Sequence, residues 1–278
     1  MRKFFPVEEL ARDSRFSQIT MRERMADPRS VLNGEDAGKR NNNRLVPSRK
    51  DSGDAARALM HGIFVGEIQA LEGAGRTCFD FETGIGDEQV PFQMKLDMAR
   101  QCWDEARHVE ISIKLSGHMG TELGEFAEQT MLFEAACNAD PVLRLTGVNR
   151  ALEGLAIDVF NAMKDFGDKS TDPVLYFCED WMLADEVTHV KMGSDWLRKL
   201  TESDPDRRQR ALDFQRTVDK LFSFGGFRGE KEENPVHLAR KFRSLAGFTE
   251  AEIADLVDVA AEAQAEAEAM AAMAVAPA

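Results

Sequence analysis

Tyrosine occurs once in the 278 residues, as Tyr176, and cysteine only four times, as Cys78, Cys102, Cys137 and Cys178. The cysteines are scattered without a CxxC or finger-like spacing, which excludes a disulfide framework and a zinc knot and leaves reduced thiols in a cytoplasm as the expectation. Long apolar runs are missing, so no transmembrane helix is expected. The opening "MRKFFPVEELARD" has no apolar centre of the kind a secretory signal needs. Positive charge is scarce outside one region. Residues 1–50 hold 12 Lys/Arg against 7 Asp/Glu, a net of +5, so a formal charge of −14 for the whole leaves −19 on the rest. A body that acidic speaks against a nucleic-acid partner, because neutralising phosphates needs a basic face.

Strand-like alternation is also scarce. Residues 1–50, with "DPRSVLNGEDAGKRNNNRLVPSRKD", read as an irregular arm carrying a short helix near 7–12. From residue 52 the pattern becomes helical: "DAARALMHGIFVGEIQALEGAGRTCFDF", then "PFQMKLDMARQCWDEARHVEISIKLSG" with Pro91 in its first turn. A shorter helix is expected within 120–139. A second long pair follows, "PVLRLTGVNRALEGLAIDVFNAMKDFG" and "DPVLYFCEDWMLADEVTHVKMGSDWLRKL". Further helices are predicted near 204–223, 234–245 and 249–269. The fold class is all-α. Its parts are an arm (1–50), two antiparallel helix pairs (51–202), accessory C-terminal helices (203–270) and a disordered tail (271–278).

Two stretches of the long helices read almost alike, "WDEARHV" at 103–109 and "ADEVTHV" at 184–190. "ALEG" is repeated as well, at 70–73 and 151–154. An offset of 81 residues superposes Glu72 on Glu153, Asp104 on Asp185, Glu105 on Glu186 and His108 on His189. In each half a Glu precedes the Glu-x-x-His by 33 residues, the signature of an internal repeat.

On a helix, Glu and His three apart share a face. A Glu on the preceding antiparallel helix returns to the same height if half of the separation runs up one helix and half runs down the next. Two such pairs around a pseudo-twofold axis bring four carboxylates and two imidazoles together in a helical core. Left alone there, each uncompensated charge would cost several kcal/mol. Two divalent cations balance the four carboxylates, and mixed nitrogen and oxygen ligation suits iron or manganese.

One Glu from each of two helices and a Glu-x-x-His from each of the other two resembles the ligand set of the ferritin-like di-iron carboxylate proteins. The likeness covers roughly residues 55–200. Around "GEIQALEG", "DEARHVEI" and "DEVTHVKMG" it looks nearest to little-characterised bacterial members distantly similar to the tRNA-modifying di-iron hydroxylases. The resemblance implies a ferritin-like four-helix bundle with Glu72, Glu105, His108, Glu153, Glu186 and His189 as metal ligands. Asp104 and Asp185 are each expected to hydrogen-bond the outer nitrogen of the histidine from the opposite pair. Ser112 stands where ribonucleotide reductase small subunits carry their radical tyrosine, and rubredoxin-like cysteine pairs are absent. Both departures weaken the corresponding roles.

Other residues carry two readings each. Glu67 lies about 140° around the helix from Glu72, which suits an inter-helix or surface salt bridge, or else an acid facing the pocket. His61 shares the face of Glu72 and reads as a core or pocket histidine, and His118 and His237 as loop or surface residues. Gly73 and Gly154 leave space beside the metals or allow close helix packing. Phe64, Phe79, Phe160 and Phe177 are expected in the core, with one or two lining a pocket.

The function these readings suggest is a di-iron oxygenase or oxidase that activates O₂ and oxidises a small molecule by hydroxylation, N-oxygenation or desaturation. The cofactor would be two Fe, with Mn or a mixed centre as alternatives, and electrons would come from the substrate or from a separate reductase. Iron handling or peroxide detoxification is the reading of a different kind, and tRNA hydroxylation a third. A compact monomer or homodimer fits the enzyme better than a storage shell.

Overall fold

The computed structural model describes residues 18–19, 54–126, 128–223, 227–232 and 234–275. Helix dominates them, and the chain is all-α. Four long helices set the architecture: α1 (Asp54–Asp80), α2 (Phe92–His118), α5 (Glu153–Lys169) and α6 (Pro173–Leu200). Between the two pairs run α3 (Met131–Ala136), α4 (Pro141–Leu145) and a π-helical segment, Thr146–Leu152, which leads straight into α5. Beyond them lie α7 (Pro205–Ser223), α8 (Arg240–Leu245) and α9 (Glu250–Val275). Three two-residue strand pairs complete the regular structure, Gln18–Ile19 with Glu128–Gln129, Glu82–Thr83 with Gln89–Val90, and Arg228–Gly229 with Val236–His237.

The helix starts are written in the sequence. "DPVL" occurs at 140–143 and again at 172–175, opening α4 and α6. In both copies the Asp side chain accepts from the two backbone N–H groups that follow the proline, a cap supplemented by Pro in the first turn. The two pairs are joined very differently. Residues 81–91 separate α1 from α2, whereas only 170–172 separate α5 from α6. That short turn brings α5 and α6 so close that a Cβ on Gly167 would fall 2.7 Å from the Tyr176 nitrogen.

α1 runs antiparallel along α2, and α5 along α6, while α2 meets α6 and α1 meets α5. The core between them is apolar, from Met60 and Ile63 through Leu155, Phe160 and Met163 to Met182 and Val190. The C-terminal helices brace the π segment. Arg150 from that segment donates to Ser194 on α6 at 2.6 Å and to Gln215 on α7 at 2.9 Å, and it pairs with Glu252 on α9. α8 braces α5 itself: buried Arg243 clasps buried Asp158 and donates to the Gly154 carbonyl at 2.6 Å.

Several expectations change. Phe64 and Phe160 are buried, but Phe79 and Phe177 are 64% and 68% exposed, because they sit on the outward faces of α1 and α6. α9 continues to Val275, past the point where composition suggests a tail, since its alanines favour helix. Gly73 and Gly154 serve close packing: added Cβ atoms would lie 3.1 Å from Ala136 and from Arg243 respectively. The predicted helix near 7–12 lies outside the described residues, as does the arm apart from Gln18–Ile19. No helix among the described residues is long and apolar enough to cross a membrane.

Candidate metal centre

Six buried side chains from α1, α2, α5 and α6 converge in the middle of the helices, in two groups of four. Glu67, Glu105, His108 and Glu186 form one, and Glu105, Glu153, Glu186 and His189 the other, the ligand atoms within each lying inside 4.8 Å of one another. Glu105 and Glu186 belong to both groups, so these buried Glu/His clusters could hold a metal ion.

The histidines aim Nδ1 at the carboxylates. His108 Nδ1 lies 3.0 Å from Glu67, 3.2 Å from Glu105 and 3.2 Å from Glu186. His189 Nδ1 lies 3.1 Å from Glu105 and 3.4 Å from Glu186. On the outer side, Nε2 of His108 is 3.2 Å from Asp185, and Nε2 of His189 is 3.3 Å from Asp104. An Nε2–H donated to each aspartate leaves the Nδ1 lone pair facing the centre, as metal ligation requires.

The donor set also passes a chemical test of fit. Both oxygens of Glu186, Oε2 of Glu105 and Nδ1 of His189 are buried without a hydrogen-bond partner. Buried polar atoms are nearly always paired, so four orphans on three adjacent side chains mark a place for a cation. Electrostatics agree. Burial, reinforced by the charges on Glu105 and Glu186, pushes Glu67 and Glu153 well above the usual carboxylate range. Burial works against Glu105 as well, but His189 and His108 hold it well below that range. Burial opposes charge on both imidazoles, yet the surrounding carboxylates raise both. Without a cation the cluster must gather protons, and two dications would do the same work.

The structure departs from the sequence reading at one ligand. Glu72 lies outside both groups, and Glu67 occupies the place expected for it. The cause is the unequal connectors. Glu67 stands thirteen residues before the end of α1 (67 to 80), and Glu105 stands thirteen after the start of α2 (92 to 105), so the two are level. Glu72 is five residues, about 7.5 Å, beyond that level. Glu67 makes the inter-helix pairing expected of it, with His108, and also faces the cavity, but it stands within a metal group as well.

Three participants were not singled out from the sequence. Gln101, fully buried, donates to Glu105 at 3.0 Å and to Glu153 at 2.9 Å, and its own oxygen accepts from Asn149 in the π segment at 2.6 Å. Arg107 pairs with Asp104 and, at 3.4 Å, with Asp185, and stacks 4.7 Å from the Trp181 ring. One guanidinium thus ties together the aspartates behind both histidines. A cavity of about 130 Å³ opens between α1 and α5 and reaches Glu67 and Glu153. Gly66 makes room for it, since an added Cβ there would meet nothing within 4 Å. His61 lies outside the metal groups, buried and hydrogen-bonded to Glu128 at 2.6 Å. His118 and His237 are exposed.

A site of this make-up defines a helical protein with a buried carboxylate and histidine cluster. The chain belongs to the family described as "Protein of unknown function (DUF455)", matched over residues 1–254. No curated protein and no solved structure matches it.

Proposed function

We propose that this chain is a ferritin-like, non-haem di-iron oxygenase that oxidises a small organic molecule. The observation that carries the reading is the sharing of Glu105 and Glu186 between two ligand groups, which suits carboxylates bridging two metals. Glu67 and His108 would complete one position, Glu153 and His189 the other. When bound, the two irons would supply O₂ activation and redox change. The overall stoichiometry is RH + O₂ + 2e⁻ + 2H⁺ → ROH + H₂O, with the electrons from a separate donor.

The chain's own residues perform the rest. Asp104 and Asp185 orient the histidines, and Arg107 fixes the aspartates. Gln101 holds Glu105 and Glu153 in place. Apolar walls between α1 and α5 exclude water beside Glu67 and Glu153. Peroxide detoxification is the rival reading, since the same ligands accept manganese, but peroxide needs no organic-sized cavity.

Mixing Fe(II)-loaded protein with O₂ and following iron oxidation and oxygen uptake tests the reading. Oxidation of about two irons per chain is expected, with loss of both iron and oxygen uptake in Glu186→Ala. Full iron occupancy in that variant, or oxygen evolution from peroxide by the manganese-loaded chain, would overturn it.

A further inference from the structure

Four of the side chains lining the cavity between α1 and α5 are polar, Glu67, Gln69, Glu128 and Glu153. Each is engaged within the protein. Glu67 lies 3.0 Å from His108 Nδ1, and Glu153 accepts from Gln101 at 2.9 Å. Glu128 lies 2.6 Å from His61 Nδ1, and the Gln69 oxygen accepts from the Phe133 N–H at 3.1 Å. The polar groups at this boundary are thus held by the protein itself rather than by a ligand.

The rest of the wall is apolar or bare. Ile63 on α1 and Leu155, Val159 and Phe160 on α5 form its sides. Phe222, at the end of α7, and Phe227 add two aromatic rings, so the C-terminal part of the chain shapes the cavity as well as bracing the helices. Gly66 offers no side chain at all. A charged group moved from water to such walls loses its hydration and finds no dedicated partner, which is costly. An anion would also meet three glutamates. A hydrocarbon loses nothing on entry and gains by leaving water.

Size limits the ligand further. Engineered apolar cavities of about 150 Å³ stay dry and take up benzene, so a cavity of about 130 Å³ fits roughly one six-membered ring. From these observations we infer that the cavity binds a compact, uncharged hydrocarbon body of about one ring, held by shape and apolar contact, with one edge against Glu67 and Glu153. The bond presented to the centre is then C–H and not a bond to nitrogen. In the stoichiometry given above that C–H breaks, a C–O bond forms, and the second oxygen atom leaves as water. This inference names the substrate class of the proposed oxygenase and rests on that reading for the chemistry, while the binding itself needs only the cavity.

Calorimetry or ligand-observed NMR on the anaerobic, iron-loaded chain, with toluene, benzylamine and benzoate as probes of one shape and three charges, provides the test. Toluene should bind at least tenfold more tightly than benzylamine, and benzoate not at all. Gly66→Leu fills the cavity from α1 and Ala156→Phe fills it from α5. Each should weaken toluene at least tenfold while iron content and helicity persist, and if one variant fails to fold the other decides. Benzylamine or benzoate binding as tightly as toluene, or toluene affinity unchanged in a folded, filled variant, would overturn the inference. Repeating the titration on metal-free protein separates the two readings. Iron that loads into a chain binding no toluene defeats the cavity assignment alone, whereas toluene binding in a chain that never takes up iron defeats the di-iron reading and leaves the cavity assignment standing.

Discussion

His108 on α2 lies 3.2 Å through its Nε2 from Asp185 on α6, and the relation is returned by His189 and Asp104 at 3.3 Å. Each histidine is thus oriented by the aspartate beside the other half's glutamate. The doubled Asp-Glu-x-x-His wording needs both copies at once, because neither half supplies the partner of its own imidazole.

Replacing Asp185 by Ala should therefore weaken metal binding without removing a ligand. Loss of a hydrogen-bond partner behind a ligating histidine costs about 10- to 100-fold in affinity. Competition against a chelator should show this for Asp185→Ala and Asp104→Ala alike. Wild-type affinity in both would contradict the assigned role.

Glu67 and Glu72 separate under the same assay. Glu67→Ala should lose at least one metal per chain, and Glu72→Ala should keep its full complement. The opposite pattern would restore the spacing argument and discard the placement of the two groups.

Glu179 offers a prediction outside the ligand set. It is fully buried on α6, neither carboxylate oxygen has a hydrogen-bond partner, and burial pushes its pKa well above the usual range. A carboxyl raised in the folded state favours folding below its unfolded pKa of about 4.3. That contribution disappears as pH rises toward the folded value, at about 1.4 kcal/mol per pH unit. Glu179→Gln should accordingly flatten the fall in stability above that pH in denaturant titrations of metal-free protein. Parallel curves for variant and wild type would refute it.

Gly193 on α6 faces the π segment closely, and a Cβ there would lie 2.6 Å from the Cβ of Asn149 and 3.3 Å from its backbone. Gly193→Ala should destabilise by about 1–3 kcal/mol through overpacking. Gly117→Ala, whose Cβ would meet nothing within 4 Å, should instead stabilise by up to about 1 kcal/mol through helix propensity. Equal shifts in melting temperature for the two would contradict the packing described.

The helices were legible because their apolar faces repeat at helical spacing and prolines stand in the first turns of several. Four of the six converging residues were legible because Glu-x-x-His keeps its spacing wherever the helix goes, and Glu153 because it lies in the repeated "ALEG", 33 residues before Glu186. Glu67 was not. Its height depends on the length of a connector, and a repeat offset carries the spacing of one half onto the other without knowing that 81–91 and 170–172 differ. Gln101 and Arg107 act across helices, so nothing in their local sequence separates them from ordinary polar residues. The cavity was illegible for a related reason: Gly66 contributes by having no side chain, and a packing glycine such as Gly73 looks the same on the page.

Metal content per chain, measured by mass spectrometry on protein expressed with iron and manganese both supplied, tests the central claim most directly. The account predicts about two irons per chain, the ratio for this ligand set, falling in Glu186→Ala and His189→Ala. A chain that holds no metal even after anaerobic Fe(II) loading would contradict it.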